Sequence, residues 1–292
     1  MSKKGIILTL LSATLFGLTP ILAKQITLSG VSAETLIFYR NLFAIPFLFL
    51  LCLKDKCSFK VTKRELIQIF LIALFGQMVT TVALYGSYAY INVGTATTLH
   101  FLYPLFVALI CRVVFKDKMS KLKTLALVVA TAGVMFFIEP GNEGFIGILL
   151  AIFSGFTFAL YFVGVEKCGL NHKNPYLLSL YFAIFVALDM LVYNLVMNKM
   201  TFDISLENYG LMALVAIGTS FLGIAFLQMG IKYLGATMAA IFCMFEPISS
   251  IIGGMIFLNE GLTLAKLIGC VVILGAVSAI VVEDYLKNKQ EK

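Results

Sequence analysis

Long apolar runs alternate with short polar gaps along almost the whole chain. A helix rises about 1.5 Å per residue, so about 20 apolar residues cross the hydrocarbon core of a bilayer. On that scale the pattern predicts ten spanning helices, near residues 5–24, 33–53, 66–90, 94–115, 122–138, 144–165, 175–197, 209–231, 236–257 and 264–282. The expected fold class is an all-α membrane protein. The apolar run behind Lys3 and Lys4 has the outline of a signal peptide. It is read as a retained first helix, because a related segment recurs inside the chain.

Composition agrees with this reading. Of the 292 residues 61% are apolar and 13% charged, and the mean hydropathy is +1.00. Soluble domains hold about 25% charged residues and about 45–50% apolar ones. The net charge of +7 does not point to nucleic acid, since the basic residues sit in short gaps between apolar runs. They follow the rule that Lys and Arg collect in cytoplasmic loops. With the N-terminus inside, the inner segments carry seventeen of them: Lys3, Lys4, Lys54, Lys56, Lys60, Lys63, Arg64, Lys116, Lys118, Lys121, Lys123, Lys167, Lys173, Lys232, Lys287, Lys289 and Lys292. The outer loops carry three, Lys24, Lys199 and Lys266. Both termini are therefore expected in the cytoplasm, which an even number of spans requires.

The chain also repeats itself. The segment starting at Gly5 aligns without gaps on the one starting at Gly147, with Leu8/Leu150, Ser12/Ser154, Phe16/Phe158 and Leu18/Leu160 identical. Asp117 follows Pro104 by thirteen positions, and Glu260 follows Pro247 by thirteen. Ser120 and Thr263 then stand where N-caps of the next helices belong. Residues 5–138 and 144–282 thus form two five-helix repeats. Five is odd, so the second repeat enters the membrane from the opposite side. Inverted repeats of this kind are a mark of secondary transporters, which open alternately to either face.

These features resemble the drug/metabolite transporter superfamily, and within it the EamA-type two-repeat proteins. The resemblance rests on Ala13-Thr14-Leu15-Phe16-Gly17 with Lys24, on Arg40, on Pro104 with Asp117, and on Phe245-Glu246-Pro247 with Glu260. It covers essentially the whole chain. It implies a central cavity lined by the first four helices of each repeat, with the fifth and tenth at the periphery. Its substrates range over amino acids, sugars, nucleotide derivatives, amines and drugs, so it implies a mode of action without a cargo. The chain departs from its own symmetry: Phe182 aligns with Arg40, and Phe106 or a neighbour stands at the place of Glu246.

Ionisable groups inside a membrane are costly and tend to face cavities or partners. Glu246 falls about 15 Å along the ninth helix. Ser249 and Ser250 share its face, and Pro247 leaves the carbonyl of Cys243 without its helical donor. Thr97, His100 and Tyr103 form a polar stripe on the fourth helix, and Pro104 frees the carbonyl of His100 in the same way. An imidazole, with an unperturbed pKa of about 6.5, suits proton exchange. Arg40 lies about 10 Å from the outer end of the second helix, at a depth where it pairs with Asp189 or holds a substrate carboxylate. The expected substrate site is Glu246, His100, Tyr103, Arg40, Thr97, Ser250, Tyr85 and Gln228, with Glu246 and His100 exchanging protons. Tyr39 and Gln77 are further polar groups within spans. Lys24 and Glu166, aligned near helix ends, are expected to snorkel to the interface.

The six cysteines contain no C-x-x-C pair, and His100 and His172 are far apart, so no metal site or disulfide framework is expected. No phosphate-binding loop, dinucleotide fingerprint, H-E-x-x-H or G-x-S-x-G motif occurs. The chain is read as a carrier rather than an enzyme, without a cofactor, moving a small polar metabolite across the cytoplasmic membrane. An amino acid or amine is the favoured cargo, because a buried carboxylate needs a positive partner. Efflux of drugs or other metabolites and a channel or structural role are the competing readings. The expected partners are a small solute and lipid; nothing in the sequence specifies an oligomeric state.

Overall fold

The computed structural model describes residues 2–138, 144–258, 261 and 263–290; the side chains of Pro20, Lys24, Leu258 and residues 284–290 are outside that description. The expectations placed on Glu260, Lys292 and the side chains of Lys24, Lys287 and Lys289 therefore fall outside the described residues.

Ten helices cross the fold: α1 (Lys3–Leu28), α2 (Ala33–Lys54), α3 (Lys63–Ser87), α4 (Val93–Val113), α5 (Lys121–Val134), α6 (Phe145–Lys167), α7 (Pro175–Val196), α8 (Leu206–Leu234), α9 (Ala236–Phe257) and α10 (Leu264–Gln290). Among the described residues nine are long and apolar enough to span a bilayer alone. The tenth, α5, has 14 residues and is extended by a tighter 3-10 turn at Met135–Phe137. The architecture is the all-α, two-repeat one expected from the sequence.

The helix starts follow local chemistry. Ser32 accepts from the amide of Thr35 at 3.1 Å, and Thr62 and Glu65 form a reciprocal capping box. Ser120 and Thr263 both act as the expected caps, accepting from the amides of Lys123 and Lys266 at 3.1 and 3.3 Å.

Two irregularities repeat with the sequence. α3 contains a wider π-turn at Leu74–Met78, and α8 contains one at Ala216–Gly223. Gly76 and Gly218 lie inside them, at the offset of 142 that relates the repeats. α4 breaks after His100 and restarts at Tyr103; α9 breaks after Cys243 and restarts at Glu246. The prolines explain the breaks. Pro104 and Pro247 have no N–H for the carbonyls of His100 and Cys243, so the chain tightens into i→i−3 bonds at Leu102, Met244 and Phe245. Proline is tolerated in the first turn of the new half-helix.

The repeats interlock. α1 packs on α8 and α9 of the other repeat, and α6 packs on α3 and α4. Two bundles result, α3–α4–α6 and α8–α9–α1. The pairs α2–α7 and α5–α10 join equivalent helices of the two repeats, α5–α10 at the periphery. Between the bundles, the half-helices Tyr103–Val113 and Ala236–Cys243 pack against each other. The other halves, Val93–His100 and Glu246–Leu258, pack instead on α6 and on α1.

Contacts between loops sort them into two faces. On one face Lys173 pairs with Glu65 at 2.8 Å and Lys167 with Asp117 at 2.5 Å. There too Tyr181 Oη donates to the carbonyl of Phe59 at 3.0 Å, Ser120 Oγ donates to Glu283 at 3.0 Å, and Lys4 lies 5.5 Å from the Tyr233 ring. This basic face gathers the α2–α3, α4–α5, α6–α7 and α8–α9 connections with the start of α1 and the end of α10. On the opposite face Ser32 N–H donates to Thr201 at 3.0 Å, and the Gly144 amide donates to the carbonyl of Tyr90 at 3.2 Å. The grouping is the one the charge pattern implies.

Candidate functional site

The breaks in α4 and α9 place two half-helix N-termini near mid-membrane, and each opens on a polar side chain: Tyr103 and Glu246. They are repeat mates, since Pro104 and Pro247 follow them directly. Tyr103 Oη donates to Glu246 Oε1 at 3.2 Å. Tyr103 is fully buried and Glu246 is 7% exposed. The residue facing Glu246 by symmetry is thus Tyr103 and not Phe106. The side chains touch directly across the boundary between the bundles instead of facing each other over an open space.

His100 is nearby but tied elsewhere. Its ring centroid lies 5.7 Å from that of Tyr103 and 5.3 Å from that of Phe158. Its Nδ1 is 2.9 Å from Ser154 Oγ on α6. Ser154 Oγ donates its one proton to the carbonyl of Ala151 at 2.6 Å, so His100 Nδ1 carries the hydrogen in this contact. That leaves Nε2 as the ring's proton-accepting atom. The mate of Ser154, Ser12, donates to the carbonyl of Gly223 at 2.8 Å.

Close backbone approach holds these groups in place. A Cβ on Gly155 would come 2.8 Å from the carbonyl of His100. A Cβ on Gly17 would collide with the carbonyl of Glu246. Both glycines face carbonyls beside the breaks. Small residues at crossings let helices pack where lipid gives no hydrophobic drive.

A second polar contact crosses the bundles one step toward the basic face. Gln228 Nε2 on α8 donates to Tyr161 Oη on α6. Both side chains are buried, and Gln228 Oε1 has no partner. Phe158 and Phe162 bridge Tyr161 to Tyr103 through ring contacts of 4.8 to 5.9 Å. Sequence reading missed Tyr161, whose repeat mate is Thr19. No symmetry signal marks it; the Gly76–Tyr161 crossing, where a Cβ would come 2.8 Å from that of Tyr161, fixes its position.

The remaining candidates are more scattered. Arg40 and Asp189 do not pair: Arg40 Nε and Asp189 Oδ2 are buried atoms without partners, and among the described residues no ion pair joins the two side chains. The expectation of a pair assumed that equal depth means contact, and depth fixes one coordinate only. Tyr39 Oη is 3.4 Å from Tyr209 Oη. Thr97 spends its hydroxyl on the carbonyl of Val93 at 2.6 Å, so the expected polar stripe loses its first member to the helix itself. Ser250 is half-buried at the α1–α9 crossing, where its amide lies close to Gly17. Tyr85 packs at the edge of the core around Tyr103, 5.4 Å from Tyr88. Glu166 does not snorkel. Its Oε2 accepts from the amide of Ala236 at the start of α9. Among the described residues no group of three or more His, Cys, Asp or Glu is placed to hold a metal.

Ten helices in two repeats, with broken helices meeting at the centre, define a membrane transporter fold. Known proteins agree with it. The EamA-like transporter family matches residues 3–138 and 145–282. The chain belongs to this family and is a multi-pass membrane transporter. A protein of Archaeoglobus fulgidus named an uncharacterized transporter is 25% identical over 222 residues, covering 76% of this chain and 80% of that one. The uncharacterized transporter YcbK of Bacillus subtilis is 26% identical over 280 residues, 91% of this chain and 89% of its own. One solved crystal structure superposes with a TM-score of 0.82 at 14% identity, covering 95% of this chain and 98% of that one, which shows the shared fold.

Proposed function

We propose that the protein is a secondary carrier that moves a small zwitterionic metabolite, of the amino-acid type, by alternating access with proton exchange at Glu246. The observation that carries this reading is the Tyr103–Glu246 contact at the N-termini of two symmetry-related half-helices. A carboxylate there receives a substrate ammonium, and half-helix N-termini favour the substrate's own carboxylate. Arg40, with a buried Nε lacking a partner, supplies a second anion-binding group in the opposite repeat, nearer the outer face. Without substrate the Glu246 carboxyl takes a proton instead, because a lone charge in low dielectric is costly. Alternation between those two states couples substrate to proton. His100, whose ring lies 5.7 Å from that of Tyr103, is the proposed relay for that proton.

Proteoliposomes test this directly. An imposed pH gradient is expected to drive accumulation of zwitterionic solutes, and collapse of the gradient to abolish it. Accumulation indifferent to the gradient contradicts proton exchange. For orientation, the basic face is assigned to the cytoplasm of the cell. Reporter fusions after Phe59 are expected to read as inside and those after Lys199 as outside. The reverse pattern rejects the assignment.

A further inference from the structure

The contacts between the two bundles are unevenly distributed with depth. Tyr103–Glu246 lies near the middle, Tyr161–Gln228 lies further toward the basic face, and Glu166–Ala236 lies at that face. The half-helices that pack across the boundary, Tyr103–Val113 and Ala236–Cys243, are those on the basic side. By contrast, His100–Ser154 and Ser12–Gly223 each stay within one bundle. From this arrangement we infer that the structure is closed toward the basic face, and that Glu166 is the latch of the gate there. This inference rests on the alternating-access reading.

The chemistry of the latch is specific. Glu166 ends α6 and offers Oε2 to the Ala236 amide, the first donor of α9. A carboxylate on a helix N-terminus satisfies an otherwise orphan N–H and meets the positive end of the dipole. Gly235 makes the approach possible. Its φ of +81° lies in the region that side chains avoid, and a Cβ there would come 3.0 Å from Glu166 Oε2. Lys167 steadies the carboxylate. Its Nζ is 3.1 Å from Glu166 Oε1 and 2.5 Å from Asp117 Oδ2, and 5.2 Å from the Phe115 ring. Lys167, Asp117 and Phe115 all belong to the α4–α6 side, so they hold Glu166 on its own bundle while its free oxygen reaches across to α9. Lys167 and Phe115 also line a surface crevice of about 570 Å³ between α3 and α6, which lies next to the proposed gate. Opening requires the Glu166–Ala236 bond at the face to break, and the deeper Tyr161–Gln228 bond after it, before the two half-helices separate.

The protein carries its own reporter. Cys111, on the Tyr103–Val113 half-helix, is 2% exposed and lies against Thr237 of α9, beside Glu166, Lys167 and Asp117. Cys52, fully buried in the separate core between α2 and α7, is an internal control for unfolding. Cys168 is already exposed and controls for reagent access. The experiment is labelling of the full-length protein in inside-out vesicles with a membrane-impermeant maleimide, read peptide by peptide by mass spectrometry.

Glu166→Ala is expected to raise the labelling rate of Cys111 by about tenfold or more, since local opening governs access to a buried group. Cys52 is expected to stay slow. Glu166→Gln, which keeps the shape and an acceptor but loses the pull of Lys167, is expected to fall between wild type and Glu166→Ala. Equal Cys111 rates in wild type and both variants overturn the latch. A parallel rise at Cys52 in Glu166→Ala reports unfolding; Glu166→Gln then decides, and its unchanged Cys111 rate also overturns the latch. The readout needs no transported solute. A selective rise at Cys111 without flux of any solute keeps the gate and rejects the carrier; flux with unchanged labelling does the opposite.

Discussion

Glu246→Gln is expected to abolish pH-driven accumulation while leaving the amount of folded protein close to wild type. The substitution keeps the volume and keeps an oxygen to accept from Tyr103 Oη, now 3.2 Å away. It removes the negative charge and the exchangeable proton. A hydrogen bond to a charged group is worth about 1.5–3 kcal/mol, so substrate affinity is expected to fall by about 10- to 100-fold. Coupling is expected to vanish altogether, because Gln cannot alternate between protonated and charged forms. Tyr103→Phe is the companion variant. It removes the donor and keeps the carboxyl, so transport is expected to weaken but stay coupled to protons. Retained proton-driven accumulation in Glu246→Gln, measured in proteoliposomes, would remove this residue from the mechanism and with it the reason to favour a cargo bearing an ammonium group.

Gly17→Leu is expected to prevent assembly of a folded protein. Any Cβ at this position collides with the carbonyl of Glu246, and it also comes 2.7 Å from the Cβ of Ser249 and 3.0 Å from the amide of Ser250. Two of these three obstacles are backbone, which cannot rotate away as a side chain does. α1 would have to lift off α9, and α1 packs along both α8 and α9 in their bundle. Overpacking commonly costs about 1–3 kcal/mol, and a clash against backbone lies at or above the top of that range. The check is the monodisperse yield in detergent beside Gly210→Leu, where a Cβ meets open space. Equal yields would show that the α1–α9 crossing has room for a side chain.

Much of this architecture is legible in the sequence because lipid imposes simple rules. Span length, the sidedness of Lys and Arg, and the offset near 142 follow from hydropathy and charge, and they locate the ten helices and their grouping. The prolines announce the breaks at His100 and Cys243. The wider turns in α3 and α8 leave no such mark, although Gly76 and Gly218 stand at matched positions inside them. Hydropathy is blind to one extra residue in a helical turn. For the site, Glu246 stands out as an acid in an apolar run, and Tyr103 lies on the polar stripe. Their contact depends on the crossing of α4 and α9, which no one-dimensional pattern encodes. The same gap explains Arg40 and Asp189, equal in depth but unpaired. It also explains Glu166, whose place near a helix end implies snorkelling, while in the fold it caps a helix of the opposite bundle.

If the two bundles carry solute by exposing one site to each face in turn, counterflow across reconstituted vesicles shows it most directly. Vesicles preloaded with an unlabelled zwitterionic solute are expected to take up its labelled form faster than empty vesicles, with a rate that saturates as concentration rises. Flux that neither saturates nor responds to solute on the far side would contradict alternating access and identify a pore.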